Sequence, residues 1–196
     1  GPMHPDCSRR LGKRPAGDCV MARNVVGVRS NEGGGNCLYY ALSQALRVRD
    51  THQTVAQLRE ALAVCLAANL EAAVGMHGSF ADAVWDAVRT GCSANSVDAY
   101  VHQLRVGTDV RGETPYGGAL EIELFVRVWE GYCVNVWAAP GDVLARGRNE
   151  YRLVAVYGDG SQVVDLRLSN SGTWAAHYEL IHPQVHMRWL LRWFVL

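Results

Sequence analysis

Near Gly131 the hydrophobic period of the chain changes from that of a helix to that of a strand, and this switch limits the folds open to it. Before it, apolar residues recur at spacings of three and four. Leu38, Leu42, Ala45 and Leu46 make one such stripe, on a helix that begins at or just before Cys37. Val55, Leu58, Leu62, Cys65, Leu66 and Leu70 make the strongest, over residues 54 to about 73. Two shorter stripes follow: Phe80, Val84, Trp85 and Val88 over residues 80–89, and Val97, Tyr100, Val101 and Leu104 over 96–104, the latter with Asn95 or Ser96 as its cap. A further helix is predicted over 119–130, with Leu120, Leu124, Phe125, Val128 and Trp129 facing inwards. Beyond the switch, residues 132–137, 151–157, 162–166 and 177–181 read as strands, and Gly158-Asp159-Gly160-Ser161 predicts a hairpin between the second and third. One short β-branched segment, 24–28, adds a strand ahead of the helices. The pattern predicts an α+β fold, a small and largely antiparallel sheet packed between helices.

The 196 residues, 49% of them apolar, suffice for one core of ordinary size, and residues 23–196 are expected to form a single domain. Residues 1–22 mix Pro, Gly, Arg and Ser without periodicity and are expected to be a flexible arm. Within it, Gly1-Pro2-Met3 reads as a cleavage scar. Nineteen basic residues balance nineteen acidic ones. No global cation is available to neutralise phosphates, so neither nucleic acid nor a membrane surface is expected as a partner. The apolar stretch 189–196 is interrupted by Arg192 and falls short of the roughly 20 residues a spanning helix needs. It is expected to dock on the core, or to be the cut edge of a longer polyprotein. Six cysteines stand far apart with no C-x-x-C pair, which predicts no metal site, and a chain this rich in core formers does not need a disulfide framework to fold. A monomer in a reducing, cytoplasmic compartment is the expectation.

One of those cysteines, Cys37, follows Gly33-Gly34-Gly35-Asn36 at a predicted helix start. There the unpaired amides and the positive end of the helix dipole favour a thiolate, the reactive form of the side chain. Glycine-rich backbone can also turn its amides towards a developing oxyanion. Such a thiol needs a base, for which histidine is suited by its pKa. Seven histidines compete: His4 in the arm, His52 and His77 in loops, His102 on a helix, His182 and His186 after the last strand, and His177 at the start of that strand. Residue type alone leaves the choice among them open.

Three blocks narrow it. Gly35-Asn36-Cys37-Leu38-Tyr39-Tyr40-Ala41 resembles the D-G-N-C-L-[FY]-x-[AS] nucleophile motif of the OTU (ovarian tumour) cysteine proteases. Tyr116-Gly117-Gly118-Ala119-Leu120-Glu121 resembles their W-G-G-x-x-E element, and His177-Tyr178-Glu179 their H-Y-[DN] element, all in the family's chain order. The resemblance implies a papain-like OTU fold and a deubiquitinase that hydrolyses bonds at the C-terminal glycine of ubiquitin, polyubiquitin or another ubiquitin-like modifier without a cofactor. It implies Cys37 as nucleophile, His177 as general base, backbone amides of Gly34, Gly35 and Cys37 as the oxyanion hole, and Tyr116, Gly117 and Gly118 as the channel for the modifier's tail. Two positions depart from the pattern. Gly34 replaces the aspartate three residues before the nucleophile, leaving its task to backbone or to Asn31 or Glu32. Glu179 replaces the usual Asp or Asn as third member, with Asn31, Asn170 or no residue as alternatives. These departures keep two further readings open: a ubiquitin-binding module without turnover, and a polyprotein-processing protease. An effector of viral or bacterial origin would act in the host cytosol.

Overall fold

The computed structural model describes residues 12, 19–74, 78–89, 94–107, 117–145, 147–173 and 176–183. Strand β1 (Val20–Ala22), a 3-10 turn (Arg23–Val25), strand β2 (Val26–Arg29) and a second 3-10 turn (Gly34–Asn36) lead into helix α1 (Cys37–Val48). Helices α2 (Val55–Ala68), α3 (Phe80–Arg89), α4 (Val97–Val106) and α5 (Ala119–Val128) follow, then strands β3 (Tyr132–Ala138), β4 (Glu150–Tyr157), β5 (Gln162–Ser169) and β6 (His177–Pro183). The chain is α+β, as its change of period implies.

Local chemistry sets the helix starts. Thr54 accepts from the Gln57 amide at 3.1 Å while the Gln57 side chain accepts from the Thr54 amide at 2.9 Å, a reciprocal cap worth about 1 kcal/mol that starts α2. Ser96 caps α4 in one direction, its hydroxyl accepting from the Ala99 amide at 3.1 Å. Helix α2 ends at Ala68, short of the predicted residue 73, where the Asn69 amide group turns back to the Cys65 carbonyl at 2.7 Å. Helix α5 stops two residues early, which leaves Val128 exposed rather than inward, and Trp85 on α3 is exposed as well.

The strands form one sheet in the order β1-β4-β3-β5-β6-β2, antiparallel throughout except for the parallel pair β3–β5. The predicted hairpin is therefore wrong: β4 and β5 flank β3 instead of pairing with each other. Their connection wraps the start of β3. The Gly160 amide donates to the Tyr132 carbonyl at 3.3 Å and the Gln162 amide to the Gly131 carbonyl at 3.0 Å. A Cβ on Gly160 would stand 2.1 Å from the Gly131 carbonyl carbon, and Gly158 has φ +71°, so glycine is needed for this close crossing, not for a two-residue reversal. The expected arm also ends earlier than Ala22, because Val20–Ala22 pairs with β4 as an edge strand. At residues 23–25 the predicted strand gives way to the 3-10 turn.

Alternate strand residues Tyr132, Val134, Val136, Val164, Leu166, Leu168, Tyr178 and Leu180 join the helices in the main core, with Leu38, Leu42, Leu62, Phe80, Leu104 and Phe125 among its fully buried members. The opposite face carries a smaller cluster of Val26, Ala139, Tyr151 and Ile181. Helix α1 lies against β6. This contact brings the first turn of one to the first residues of the other.

Candidate functional site

Cys37 opens α1 and is buried in the main core. Its sulfur accepts a hydrogen bond from the Tyr178 amide of β6 at 3.5 Å. The residue before that amide is His177, so the strand and the helix start bring thiol and imidazole-bearing residue together across the core edge. The imidazole Cε1 and Nδ1 edge lies over the glycine loop, 3.6 and 3.9 Å from where a Gly33 Cβ would stand. Its Nε2 lies 3.8 Å from Glu179 Oε2. The other carboxylate oxygen, Oε1, accepts from Arg167 Nη1 at 2.8 Å. Glu179 thus stands between a guanidinium and the imidazole.

Burial pushes the Cys37 thiol upwards, and the nearby Glu179 charge adds to that, against the lowering effect of the Tyr178, Leu38 and Cys37 amides. The helix-start amides act in the expected direction, but desolvation outweighs them.

The loop ahead of the thiol is held by Asn31. Its Nδ2 donates to the Tyr178 carbonyl at 2.8 Å and to the Cys37 carbonyl at 3.2 Å, and its Oδ1 accepts from the Gly33 amide at 3.0 Å. One amide side chain ties loop, helix start and β6 together. Glu32 instead accepts from the Tyr40 hydroxyl at the surface. Gly33 and Gly34 have φ +70° and +67°, and the Cys37 amide closes the 3-10 turn on the Gly34 carbonyl. Asn170 takes φ +54° in the β5–β6 connection, where its carbonyl accepts from Thr173.

Of the predicted channel residues, Tyr116 lies outside the described residues. Gly117 packs on α1: a Cβ there would come within 2.8 Å of Leu38 Cδ2 and 3.2 Å of Tyr39 Cε2. A Cβ on Gly118 would meet nothing within 4 Å among the described residues, and the Gly118 amide donates to Glu121 Oε2 at 2.7 Å, starting α5. Glu121 is buried and also accepts from the Tyr100 hydroxyl; its carboxyl is pushed up by burial, partly opposed by these hydrogen bonds and by Arg59.

Two residues near the site were not singled out from the sequence. Arg59, 3% exposed, donates from Nε to Asn36 Oδ1 at 2.9 Å and from Nη1 to the Leu104 carbonyl at 2.9 Å, and its guanidinium stacks 4.1 Å from the Tyr39 ring centroid. It shares the buried face of α2 with Leu62 and Leu66, so a charge on an apolar stripe was a readable signal. Arg167 faces Glu179 across β5 and β6, a matter of register that no local pattern records. His52, His102 and His182 lie elsewhere on the described chain, and His4, His77 and His186 outside it. Among the described residues no cluster of three or more His, Cys, Asp or Glu could hold a metal ion, and no helix is long and apolar enough to cross a membrane.

No protein-family model matches the sequence, and no curated protein does. Solved structures do match. The viral OTU domain protease of Dera Ghazi Khan virus superposes with a TM-score of 0.56 at 17% identity, over 85% of this chain and 86% of that one. The Hazara virus OTU bound to ubiquitin gives 0.57 at 18%, over 86% and 88%. An OTU deubiquitinase from Wolbachia pipientis wMel bound to ubiquitin gives 0.51 at 14%, over 82% and 97%. The chain has an OTU-like fold.

Proposed function

We propose that the chain is an OTU-type thiol deubiquitinase, hydrolysing peptide or isopeptide bonds at the C-terminal glycine of ubiquitin or a ubiquitin-like protein. One observation carries the reading: the segment His177-Tyr178-Glu179 is laid against the Cys37 sulfur at a helix start, on a fold shared with domains solved bound to ubiquitin. In this reading the Cys37 thiol gives its proton to the His177 imidazole as sulfur attacks the glycyl carbonyl carbon. Glu179 faces Nε2, which leaves Nδ1, on the loop side, to take the proton. The tetrahedral oxyanion is held by amides of Gly34, Gly35 and Cys37. The Cys37 amide is freed for this by a turn of the Gly34 peptide, which glycine allows at little steric cost. Each such donor is worth about 3 kcal/mol of barrier. The C–N bond breaks as His177 returns its proton to the departing amine. Water, with His177 again as base, then releases the acyl group. Gly117 and Gly118 border the way in for the modifier's tail. The free thiols at Cys19, Cys37, Cys65 and Cys133 suit a reducing compartment, the cytosol or a host's cytosol.

A second reading, a ubiquitin-binding module without turnover, is favoured by the main-chain hydrogen bond at the sulfur and the upward push on the thiol. Ubiquitin bearing an electrophilic C-terminus separates the two. The enzyme captures it covalently, Cys37→Ala abolishes capture with the fold intact, His177→Ala slows turnover by about 10³-fold or more, and His102→Ala keeps most activity. Binding to ubiquitin without capture establishes the module instead.

A further inference from the structure

We infer that Arg167 is a positioning residue for the catalytic pair, holding the Glu179 carboxylate so that its second oxygen stays turned to the imidazole. The inference rests on the deubiquitinase reading and adds to it a residue outside the three motif blocks. The two side chains stand directly opposite on antiparallel neighbours, and the Glu179 carboxylate is divided between them: Oε1 to Arg167 Nη1 at 2.8 Å, Oε2 towards His177 Nε2 at 3.8 Å. Both are largely shielded, at 27% and 13% side-chain exposure, so the pair is screened less than a surface one. Glutamate is a methylene longer than the Asp or Asn it replaces and has one more rotatable bond. A guanidinium fixing one oxygen removes the freedom that the extra methylene adds.

Arg167 also sets the charge the imidazole meets. Around Glu179 are Arg167 from β5, His177 on its own strand and Cys37 from α1, and Arg23 lines the same cavity of about 420 Å³. Asp165, next along the same face of β5, is engaged by Asn135 and Trp137. Removing the guanidinium leaves the Glu179 charge uncompensated, and that charge already pushes the Cys37 thiol up. The cavity, lined by Arg23, Val26, Ser30, Tyr151, Arg167 and Glu179, gives small solutes a way to the vacated position.

The test compares wild type, Arg167→Ala, Arg167→Lys and Glu179→Gln, reading ubiquitin hydrolysis and, separately, the pH dependence of Cys37 alkylation by iodoacetamide followed by peptide mass spectrometry. Arg167→Ala is expected to lower kcat about tenfold with KM within about twofold, and to displace the Cys37 alkylation profile to higher pH. Arg167→Lys keeps the alkylation profile in place and recovers part of the rate. Millimolar guanidinium restores Arg167→Ala but not Glu179→Gln. Unchanged rate and profile in Arg167→Ala overturn the inference, as does a loss shared equally by Arg167→Lys and insensitive to guanidinium, which marks a structural role. Should Arg167→Ala not fold, Arg167→Gln takes its place in the same comparison. Should wild type fail to cleave ubiquitin while Arg167→Ala still shifts the alkylation profile, the deubiquitinase reading falls and the positioning role stands.

Discussion

Arg59 shows how much a single side chain can join. Its guanidinium reaches the Asn36 side chain beside Cys37, the last carbonyls of α4 and the face of Tyr39, while Nη2 is buried with no hydrogen-bond partner among the described residues. A buried cation is retained at a desolvation cost, so it must be well engaged to be tolerated. Arg59→Met fills the space but leaves the α4 carbonyls and Asn36 unpaired. It is expected to cost about 2–4 kcal/mol in a urea melt and to lower Cys37 reactivity further, since the Asn36 turn is then unbraced. A melt indistinguishable from wild type would show that the bonds contribute nothing net.

At the scale of elements, α5 starts on a buried carboxyl. Glu121 accepts from the Gly118 amide and the Tyr100 hydroxyl, so this one side chain both caps its own helix and ties it to α4. Burial raises its folded-state pKa above the ordinary 4.5. The native protein therefore holds a proton that the unfolded chain has already lost. This contribution to stability is whole below the ordinary value and disappears as pH climbs through the folded one. Urea midpoints taken from about pH 4 to about pH 8 should fall for wild type relative to Glu121→Gln. A gap between the two proteins that is constant with pH would mean that Glu121 does not titrate in that window.

For the whole molecule, the order of the sheet depends on one tight crossing. Because β4 and β5 lie on either side of β3, their short connection must pass the start of β3 with backbone against backbone. A methyl group at Gly160 meets main chain at 2.1 Å, where no rotamer change gives relief. Gly160→Ala is expected to cost about 3 kcal/mol or more, read as a lowered thermal midpoint, whereas Gly131→Ala, with open space at its Cβ, is expected to introduce no clash. Equal midpoints for Gly160→Ala and wild type would contradict the crossing. The same sheet carries β6 to α1, so damage at the crossing is expected to reach the thiol as well.

Much of this was legible in the residues because it depends on near neighbours in sequence. Helical and strand periods, the Thr54 and Ser96 caps, and a cysteine after three glycines at a helix start are set by interactions within a few positions. They mark the elements and the candidate thiol without knowledge of the rest. Register and strand order are different, since they follow from which apolar faces meet across distant parts of the chain. For that reason Gly158-Asp159-Gly160-Ser161 predicts a reversal but not the strand that it passes, and nothing local sets Arg167 opposite Glu179 or Asn31 beneath Tyr178. The packing of α1 on β6 also decided that desolvation of Cys37 would exceed the pull of the helix-start amides. Burial is a property of the assembled core, while the dipole belongs to the helix alone.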